Sequence, residues 1–221
     1  MLNRTSVNAI LKSVIATLAA AVVVVLALGA WSSWTRLQAV NRIATVADAS
    51  AHLFTALHNL RSDRSRSYRM LTADEQMPSR DPRLWVARDA AMPALKSALI
   101  VLEVADFPER QAVVSDLGQR IKKLAALHEE SAAAVAQPKA ARRQGLAPEI
   151  RDEIGAFIEM LDKLSLRLNG SVKLEDAFID QLMDLKQLAW FGRDAGGDAS
   201  VMLSNRLGGE VLPAEDRKSV V

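Results

Sequence analysis

The stretch Val14-Ile-Ala-Thr-Leu-Ala-Ala-Ala-Val-Val-Val-Val-Leu-Ala-Leu-Gly-Ala-Trp-Ser-Ser-Trp34 decides where the rest of the chain lies. No charged side chain occurs between Lys12 and Arg36. A hydrocarbon core about 30 Å thick requires roughly 20 apolar helical residues, and this run supplies them. Two tryptophans close the run, as aromatic residues do at a membrane interface. The sequence therefore predicts a transmembrane helix over 14–34, with the lipid bilayer as a partner and a cytoplasmic tail over 1–13.

A cleaved signal peptide is the alternative interpretation of this run. Its apolar part is longer than the 7 to 15 residues usual for such peptides, and it ends in Trp-Ser-Ser-Trp-Thr-Arg36 rather than in a small-residue cleavage site. We therefore expect a membrane helix that is retained. Positive charges flank both ends, so the orientation rests mainly on the short tail, which favours an exported main domain.

Composition narrows the classes of protein that remain. The 221 residues carry a net charge of +2, are 50% hydrophobic but only 5% aromatic, and include no cysteine. Near-balanced charge gives no case for nucleic-acid binding. Without cysteine there is no disulfide framework, no thiolate metal site and no cysteine nucleophile. The abundance of Ala, Leu and Val is typical of helical proteins.

The spacing of apolar residues predicts helices along the remaining chain. Neither proline nor glycine occurs between Gly29 and Pro78, and apolar positions recur at intervals of three and four, so the membrane helix should continue to about Thr72. A second helix should begin near Pro82 and be kinked or split by Pro93. A third should follow Pro108 and run to about 136.

From Pro148 the apolar pattern continues past Gly170 to Leu188, which predicts one helix of about 40 residues, or of about 60 with its extension to Leu207. The predicted fold class is all-α: an N-terminal transmembrane helix that continues into an up-and-down bundle of long helices, resembling a four-helix bundle, over 35–212. Helices of such length also predict coiled-coil contacts with a partner chain, and hence a homodimer.

The end of the chain is unusual. Residues 216–221, Asp-Arg-Lys-Ser-Val-Val, match the translation of a widely used sequencing adapter. We therefore expect 213–221 to be non-native or disordered, and the gene to continue past about Glu215 into an output module.

Residues suited to catalysis or metal binding are scarce. His52, His58 and His128 show no metal-ligand spacing, and the Gly-Gly pairs lack the residues of a phosphate-binding loop. A satisfied or solvent-facing histidine is the favoured interpretation of each. The sequence predicts no catalytic residue, no metal, no cofactor and no enzyme.

One segment, Leu60-Arg-Ser-Asp-Arg-Ser-Arg-Ser-Tyr-Arg-Met-Leu71, does suggest a binding site. On a helix, Arg61, Arg64 and Tyr68 share a face through their i, i+3 and i+4 spacing. Guanidinium groups offer paired donors to carboxylates and other oxyanions, so this face predicts a site for a small anionic ligand. The alternative is a solvated face whose arginines pair with acidic residues of the last helix, such as Glu175, Asp180 and Asp184.

Two segments resemble the sensor domains of bacterial methyl-accepting chemotaxis proteins: Leu57-His-Asn-Leu-Arg-Ser-Asp-Arg64 and Leu185-Lys-Gln-Leu-Ala-Trp-Phe-Gly-Arg-Asp-Ala-Gly196. The first is also similar to the arginine-bearing first helix of nitrate-sensing helical domains. The resemblance implies a periplasmic sensor anchored in the bacterial inner membrane, a ligand site at Arg61 or Arg64, and a role in chemotaxis.

Two other functions remain open. The same sensor architecture occurs with histidine kinases and diguanylate cyclases, from which only downstream sequence would distinguish it. A membrane-tethered coiled coil that binds other proteins and no small ligand is a structural alternative.

Overall fold

The computed structural model describes residues 7–74, 81–173 and 177–207, and these contain helices and no strand. In chain order the elements are α1 Val7–Thr72, α2 Pro82–Val104, α3 Arg110–Val135, a short 3-10 turn Lys139–Ala141, α4 Leu146–Ser171 and α5 Ala177–Leu207. The predicted all-α fold class is confirmed.

Helix α1 is a single unbroken element of 66 residues. At a rise of 1.5 Å per residue it is about 100 Å long. Among the described residues it is also the helix that is long and apolar enough to cross a membrane. The apolar segment and the part of α1 that packs in the bundle therefore belong to one helix, as the uninterrupted sequence pattern predicts.

Helices α2 and α3 begin close to where their prolines predict. Pro82 occupies the first turn of α2, and the Asp81 carboxylate accepts a hydrogen bond from the amide of Leu84 at 2.9 Å, which caps the helix. Pro93 does not split α2, which runs through it to Val104. Helix α3 begins two residues after Pro108.

The expectation of one long final helix is wrong. Helix α4 ends at Ser171, and α5 begins as a separate element at Ala177. At the break, Val172 leaves helical geometry with φ −114° and ψ 4°. Glycine and serine are poor helix formers, and the pair Gly170-Ser171 directly before the break weakens the last turn of α4.

The described residues cluster into two compact units, one that ends at Val172 and one that begins at Lys173. In the first, α1 packs against α2 and α4, α2 packs against α3, and α3 packs less extensively against α4. This is the neighbour order of an up-and-down four-helix bundle. Its core is built from side chains that are almost fully buried, the largest of which are Phe157, Leu53, Leu60, Leu95, Leu102, Leu117, Leu124, Ile150, Ile154, Leu161 and Leu168. The end of the chain, 213–221, lies outside the described residues.

Candidate functional site

The arginine face predicted from the sequence lies where α1 runs beside α4. Arg61 is half-buried, and its Nη2 lies 3.7 Å from Oδ2 of Asp162 on α4. An ion pair of this length between partly exposed side chains contributes at most about 1 kcal/mol. The structure therefore gives Arg61 a structural partner on α4, whereas the sequence analysis looked for partners on the last helix.

Arg64, one turn further along α1, is also half-buried. Its Nη1 lies 3.8 Å from the position that a Cβ atom would occupy at Gly155. No ion pair or hydrogen bond joins Arg64 to another residue in the described part of the chain. A Cβ atom at Gly155 would meet this guanidinium at an ordinary van der Waals distance, so Gly155 lies beside Arg64 without being required by it.

Tyr68 completes the face and is 37% exposed. The guanidinium carbon of Arg151 on α4 lies 5.2 Å from the centre of its ring, within the range of a cation–π contact. Arg151 also pairs with Asp152, with Nε 2.8 Å from Oδ1.

Together these residues form a small cationic patch, which we define as Arg64, Tyr68, Arg151 and Gly155. Arg64 and Tyr68 are separated by one turn of α1, and Arg151 and Gly155 by one turn of α4, so the four positions lie at neighbouring corners across the two helices. The patch combines two guanidinium groups with an aromatic ring at the bundle surface. Such a set can bind a carboxylate or another oxyanion.

A second polar cluster is buried within the bundle. Asp63 and Ser67 on α1, Arg88 on α2, and His128 and Ser131 on α3 are each no more than 8% exposed. Arg88 donates from Nε to Oδ1 of Asp63 at 3.1 Å, from Nη1 to the carbonyl of His128 at 3.1 Å, and from Nη2 to both serine hydroxyls at 2.8 and 2.9 Å. The cluster therefore joins three helices through one guanidinium group.

The cluster is nearly closed to outside ligands. Four donor hydrogens of Arg88 are used, and Oδ1 of Asp63 also accepts from Ser67 at 2.6 Å. Nε2 of His128 lies 2.6 Å from Oδ2 of Asp63, and neither atom has a further hydrogen-bond partner. Burial alone opposes ionisation of Asp63, but the contact with His128 and the charge of Arg88 outweigh it, so the pKa of Asp63 lies below its usual value of 3.8.

Sequence reasoning missed this cluster, although the signal was present. Arg88 occupies the buried row of α2 between Leu84 and Leu95, and Asp63 follows Leu60 in the buried row of α1. A charged residue at a core position requires a partner, so each should have pointed to the other. For His128, the interpretation as a satisfied histidine is confirmed.

The basic loop between α3 and α4 has a structural role. Nη1 of Arg142 donates to the carbonyls of Met70, Leu71 and Ala73 at 3.1, 2.8 and 2.7 Å, which satisfies acceptors at the end of α1. A cation is also favourable at a helix C-terminus. Lys139 pairs nearby with Asp74 at 2.7 Å. These loop charges fasten the end of the bundle that is distant from the apolar segment.

A cleft of about 340 Å³ opens between α3 and α4. Met160 and Leu164 contribute apolar side chains to its lining, and Arg120, Lys163 and Arg167 contribute cationic ones. Two of these cations already have anionic partners, since Arg120 lies 3.4 Å from both Asp116 and Glu153 and Arg167 lies 2.7 Å from Glu109. Among the described residues the cleft keeps one cation without an acidic partner, Lys163, just as the patch keeps Arg64, because Arg151 is paired with Asp152. The acidic side chains of Asp116 and Glu159 also line the cleft and oppose the binding of an anion there.

Within the described residues, no group of three or more His, Asp or Glu side chains is placed to hold a metal ion. No protein-family model, curated protein or solved structure matches the chain.

Proposed function

We propose that this chain is the membrane-anchored sensor portion of a bacterial chemoreceptor, which binds a small anionic ligand in a periplasmic helical bundle and acts in chemotaxis and signal transduction. It is a binding protein rather than an enzyme, it forms a homodimer, and it resides in the inner membrane with its N-terminus in the cytoplasm. The observation that carries the proposal is the continuity of α1, in which one helix holds both the apolar segment and part of the cationic patch.

The unbroken helix α1 connects the cationic patch to the apolar segment. Arg64 lies about 45 Å from the end of the apolar segment at Trp34, along a helix without a break. Binding energy at the patch can reach the membrane only if the ligand has different affinities for two arrangements of the bundle. Because α1 contains both Arg64 and the apolar segment, a change in the bundle arrangement at the patch is transmitted along one helix to the membrane.

The assignment of the ligand site follows from the charged side chains along α1 and α4. Arg61 is engaged by Asp162, so we assign the ligand contacts mainly to Arg64, Tyr68 and Arg151. Arg64 is half-buried and has no ion-pair or hydrogen-bond partner among the described residues, so its guanidinium donors are available to a small ligand. Charge-assisted hydrogen bonds of guanidinium groups to oxyanions are roughly twice as strong as those between neutral groups.

Thermal unfolding of the full chain in detergent, followed by circular dichroism, tests the proposal. The panel comprises sodium nitrate, acetate, succinate, citrate and benzoate, with sodium chloride at equal ionic strength as the reference. A ligand at 100 times its Kd stabilises the folded state by about 2.7 kcal/mol. For a chain of this size that raises the Tm by roughly 5–10 °C.

Matched variants locate the site. Arg64→Ala should abolish the shift and Arg64→Lys should weaken it, because lysine keeps the charge and loses the paired donors. Arg69→Ala, an exposed arginine one turn further along α1, should leave the shift unchanged. A shift that survives Arg64→Ala but disappears in Lys163→Ala would move the site to the cleft between α3 and α4. A flat panel would remove the support for a small-ligand sensor.

A structural membrane-tethered coiled coil is the second candidate. It is favoured by a row of apolar side chains on the outer face of α1, including Leu37, Val40 and Phe54, which are 53%, 60% and 43% exposed. A flat ligand panel combined with stable self-association would support it. The sensor regions of histidine kinases and diguanylate cyclases share the proposed architecture, and sequencing of the locus would distinguish them from a chemoreceptor.

A further inference from the structure

We infer that the cleft between α3 and α4 is a second binding site and that it takes an ω-amino carboxylate, a small zwitterion whose ammonium and carboxylate groups are separated by methylene groups. The cleft has a volume of about 340 Å³, which lies within the range of about 300–1,000 Å³ that is usual for small-ligand pockets. It is formed by α3 and α4, whereas the cationic patch is formed by α1 and α4. The inference therefore goes beyond the proposed anion sensor and does not rest on it.

Two ion pairs hold α3 against α4 on either side of the cleft. Nζ of Lys123 lies 2.6 Å from Oε2 of Glu153, and Nη1 of Arg167 lies 2.7 Å from Oε2 of Glu109. The two pairs are separated by 14 residues on each helix, so α3 and α4 run antiparallel in constant register between them. Because α3 packs less extensively against α4 than against α2, this stretch leaves space for a ligand.

This register gives the cleft an acidic end and a basic end. Asp116 on α3 lies at about the height of Glu159 on α4, so two carboxylates meet at one end. Lys163 and Arg167 lie one and two turns further along α4, toward the other end. A simple anion is attracted by the basic end and repelled by the acidic end, whereas a zwitterion is attracted by both. The arrangement therefore favours a ligand that carries both charges.

Two of these four charged side chains are available to a ligand. Asp116 and Arg167 already have partners of opposite charge. Glu159 and Lys163 are exposed, and neither has an ion pair in the part of the chain that the structure describes. Although they are one turn apart on α4, an ion pair at this spacing contributes little in water. Such a pair would therefore not exclude a ligand that binds both side chains.

The separation of the two free charges selects the class of zwitterion. Residues one turn apart have Cβ atoms about 5–6 Å from each other. In an α-amino acid the two charged groups are attached to the same carbon atom and lie closer together than this. An extended chain advances about 1.2 Å per bond, so the ammonium nitrogen and the carboxyl carbon of 5-aminopentanoate lie about 6 Å apart.

The apolar lining of the cleft suits the methylene chain of such a ligand. Met160 and Leu164 on α4 and Val113 on α3 contribute apolar side chains to the lining between the two ends. Methionine is flexible and adapts to the shape of an apolar partner. A ligand with methylene groups between its charges covers this surface, whereas a compact zwitterion leaves it exposed to water.

Isothermal titration calorimetry of the full chain in detergent tests the cleft with two isomers. 5-Aminopentanoate and 2-aminopentanoate contain the same atoms and differ in the separation of their charges. We expect 5-aminopentanoate to bind at least about tenfold more tightly, because only this isomer makes both charge-assisted contacts. Pentanoate and pentylamine each lack one of the two charges, and both should bind more weakly than 5-aminopentanoate by a similar factor.

Matched variants place this ligand in the cleft. Glu159→Gln and Lys163→Ala should each raise the Kd for 5-aminopentanoate by about tenfold or more, and both residues are exposed, so the helical circular dichroism should not change. Lys122→Ala removes an exposed lysine of α3 outside the cleft and should leave the Kd unchanged. Glu159→Lys replaces the free carboxylate by a cation and should reverse the preference from 5-aminopentanoate to pentanoate, which the loss of a merely structural residue would not do.

Several results would overturn the inference. These are equal affinities for the two isomers, binding of pentanoate as tight as that of 5-aminopentanoate, and no binding of 5-aminopentanoate. Binding that persists in Lys163→Ala but disappears in Arg64→Ala would also overturn it, because the ligand would then occupy the cationic patch. The anion panel tests that patch separately, and a flat panel leaves the comparison of the two isomers unaffected, so the two proposals fail independently.

Discussion

Replacement of Arg88 by methionine should strongly destabilise the bundle. The side chain of Arg88 is 5% exposed, and it faces a carboxylate of Asp63 that is 0% exposed. Methionine has a similar length and no donors, so the substitution fills most of the space but removes four hydrogen bonds. The carboxylate of Asp63 then stays buried without the permanent positive charge of Arg88 beside it.

The expected cost follows from that uncompensated charge. Removal of one partner from a buried ion pair costs about 3–5 kcal/mol. For a chain of this size each kcal/mol lowers the Tm by roughly 2–4 °C, so Arg88→Met should lower it by about 6–20 °C. Thermal unfolding of the full chain in detergent at pH 7, followed by circular dichroism at 222 nm, measures the change. Arg83→Met, the same replacement at an exposed position of α2, should change stability by less than about 0.5 kcal/mol.

A double-mutant cycle makes the reasoning refutable. The pair Asp63→Asn and Arg88→Met leaves no buried charge on either helix, so the double variant should be less destabilised than the sum of the single changes, by about 0.5–3 kcal/mol. A loss below about 1 kcal/mol in Arg88→Met, or strict additivity in the double variant, would show that the cluster does not hold the three helices together.

Three further outcomes follow from the described contacts. Arg142→Ala removes the hydrogen bonds to the carbonyls at the end of α1, and should cost about 1–3 kcal/mol in the same unfolding assay, with Arg142→Lys in between. Gly145 has a φ of 87°, a conformation that strains alanine, so Gly145→Ala should destabilise the folded protein by about 1 kcal/mol. Gly170 lies in the last turn of α4 with open space around it, so Gly170→Ala should stabilise the folded protein by up to about 1 kcal/mol. Equal effects of the two substitutions would contradict this reasoning. The folded pKa of Asp63 is lowered, so the stabilising contribution of its carboxylate is complete above the unfolded pKa of 3.8 and is lost as the pH falls through the folded pKa. In the same unfolding assay, the stability difference between the wild type and Asp63→Asn should therefore shrink on acidification below about pH 4.

Periodicity and proline placement predicted most of the helical architecture. The apolar pattern required α1 to run from the apolar segment to Thr72, and it does. Pro82 with Asp81 before it fixed the start of α2, because a first-turn proline and a capping carboxylate are local signals. The break between α4 and α5 was missed because the apolar spacing continues across it. The spacing of apolar residues takes no account of the low helix propensity of Gly170 and Ser171.

The site was predictable in part. The i, i+3 and i+4 spacing placed Arg61, Arg64 and Tyr68 on one face, but it could not say which of them would be engaged by another helix. Asp162 and Arg151 lie about a hundred residues away in sequence, and their pairing depends on the register between α1 and α4. The buried cluster around Arg88 forms only when α1, α2 and α3 pack with these residues at the same height. The apolar spacing within a single helix does not show how helices align with one another.

Helix α1 carries different kinds of side chain on its different faces, and the helical repeat keeps these rows apart. One row, with Leu53 and Leu60, builds the core and then continues through Asp63 into the buried cluster. The opposite row, with Ala47 and Ala51, is apolar and exposed over the same stretch. Arg64 lies beside the buried row, toward α4. A one-residue insertion between the apolar segment and the bundle would rotate the apolar segment by 100° relative to the bundle, while core packing within the bundle should persist. Core packing and the exposed apolar row are therefore separable in this helix because they use different positions around its axis.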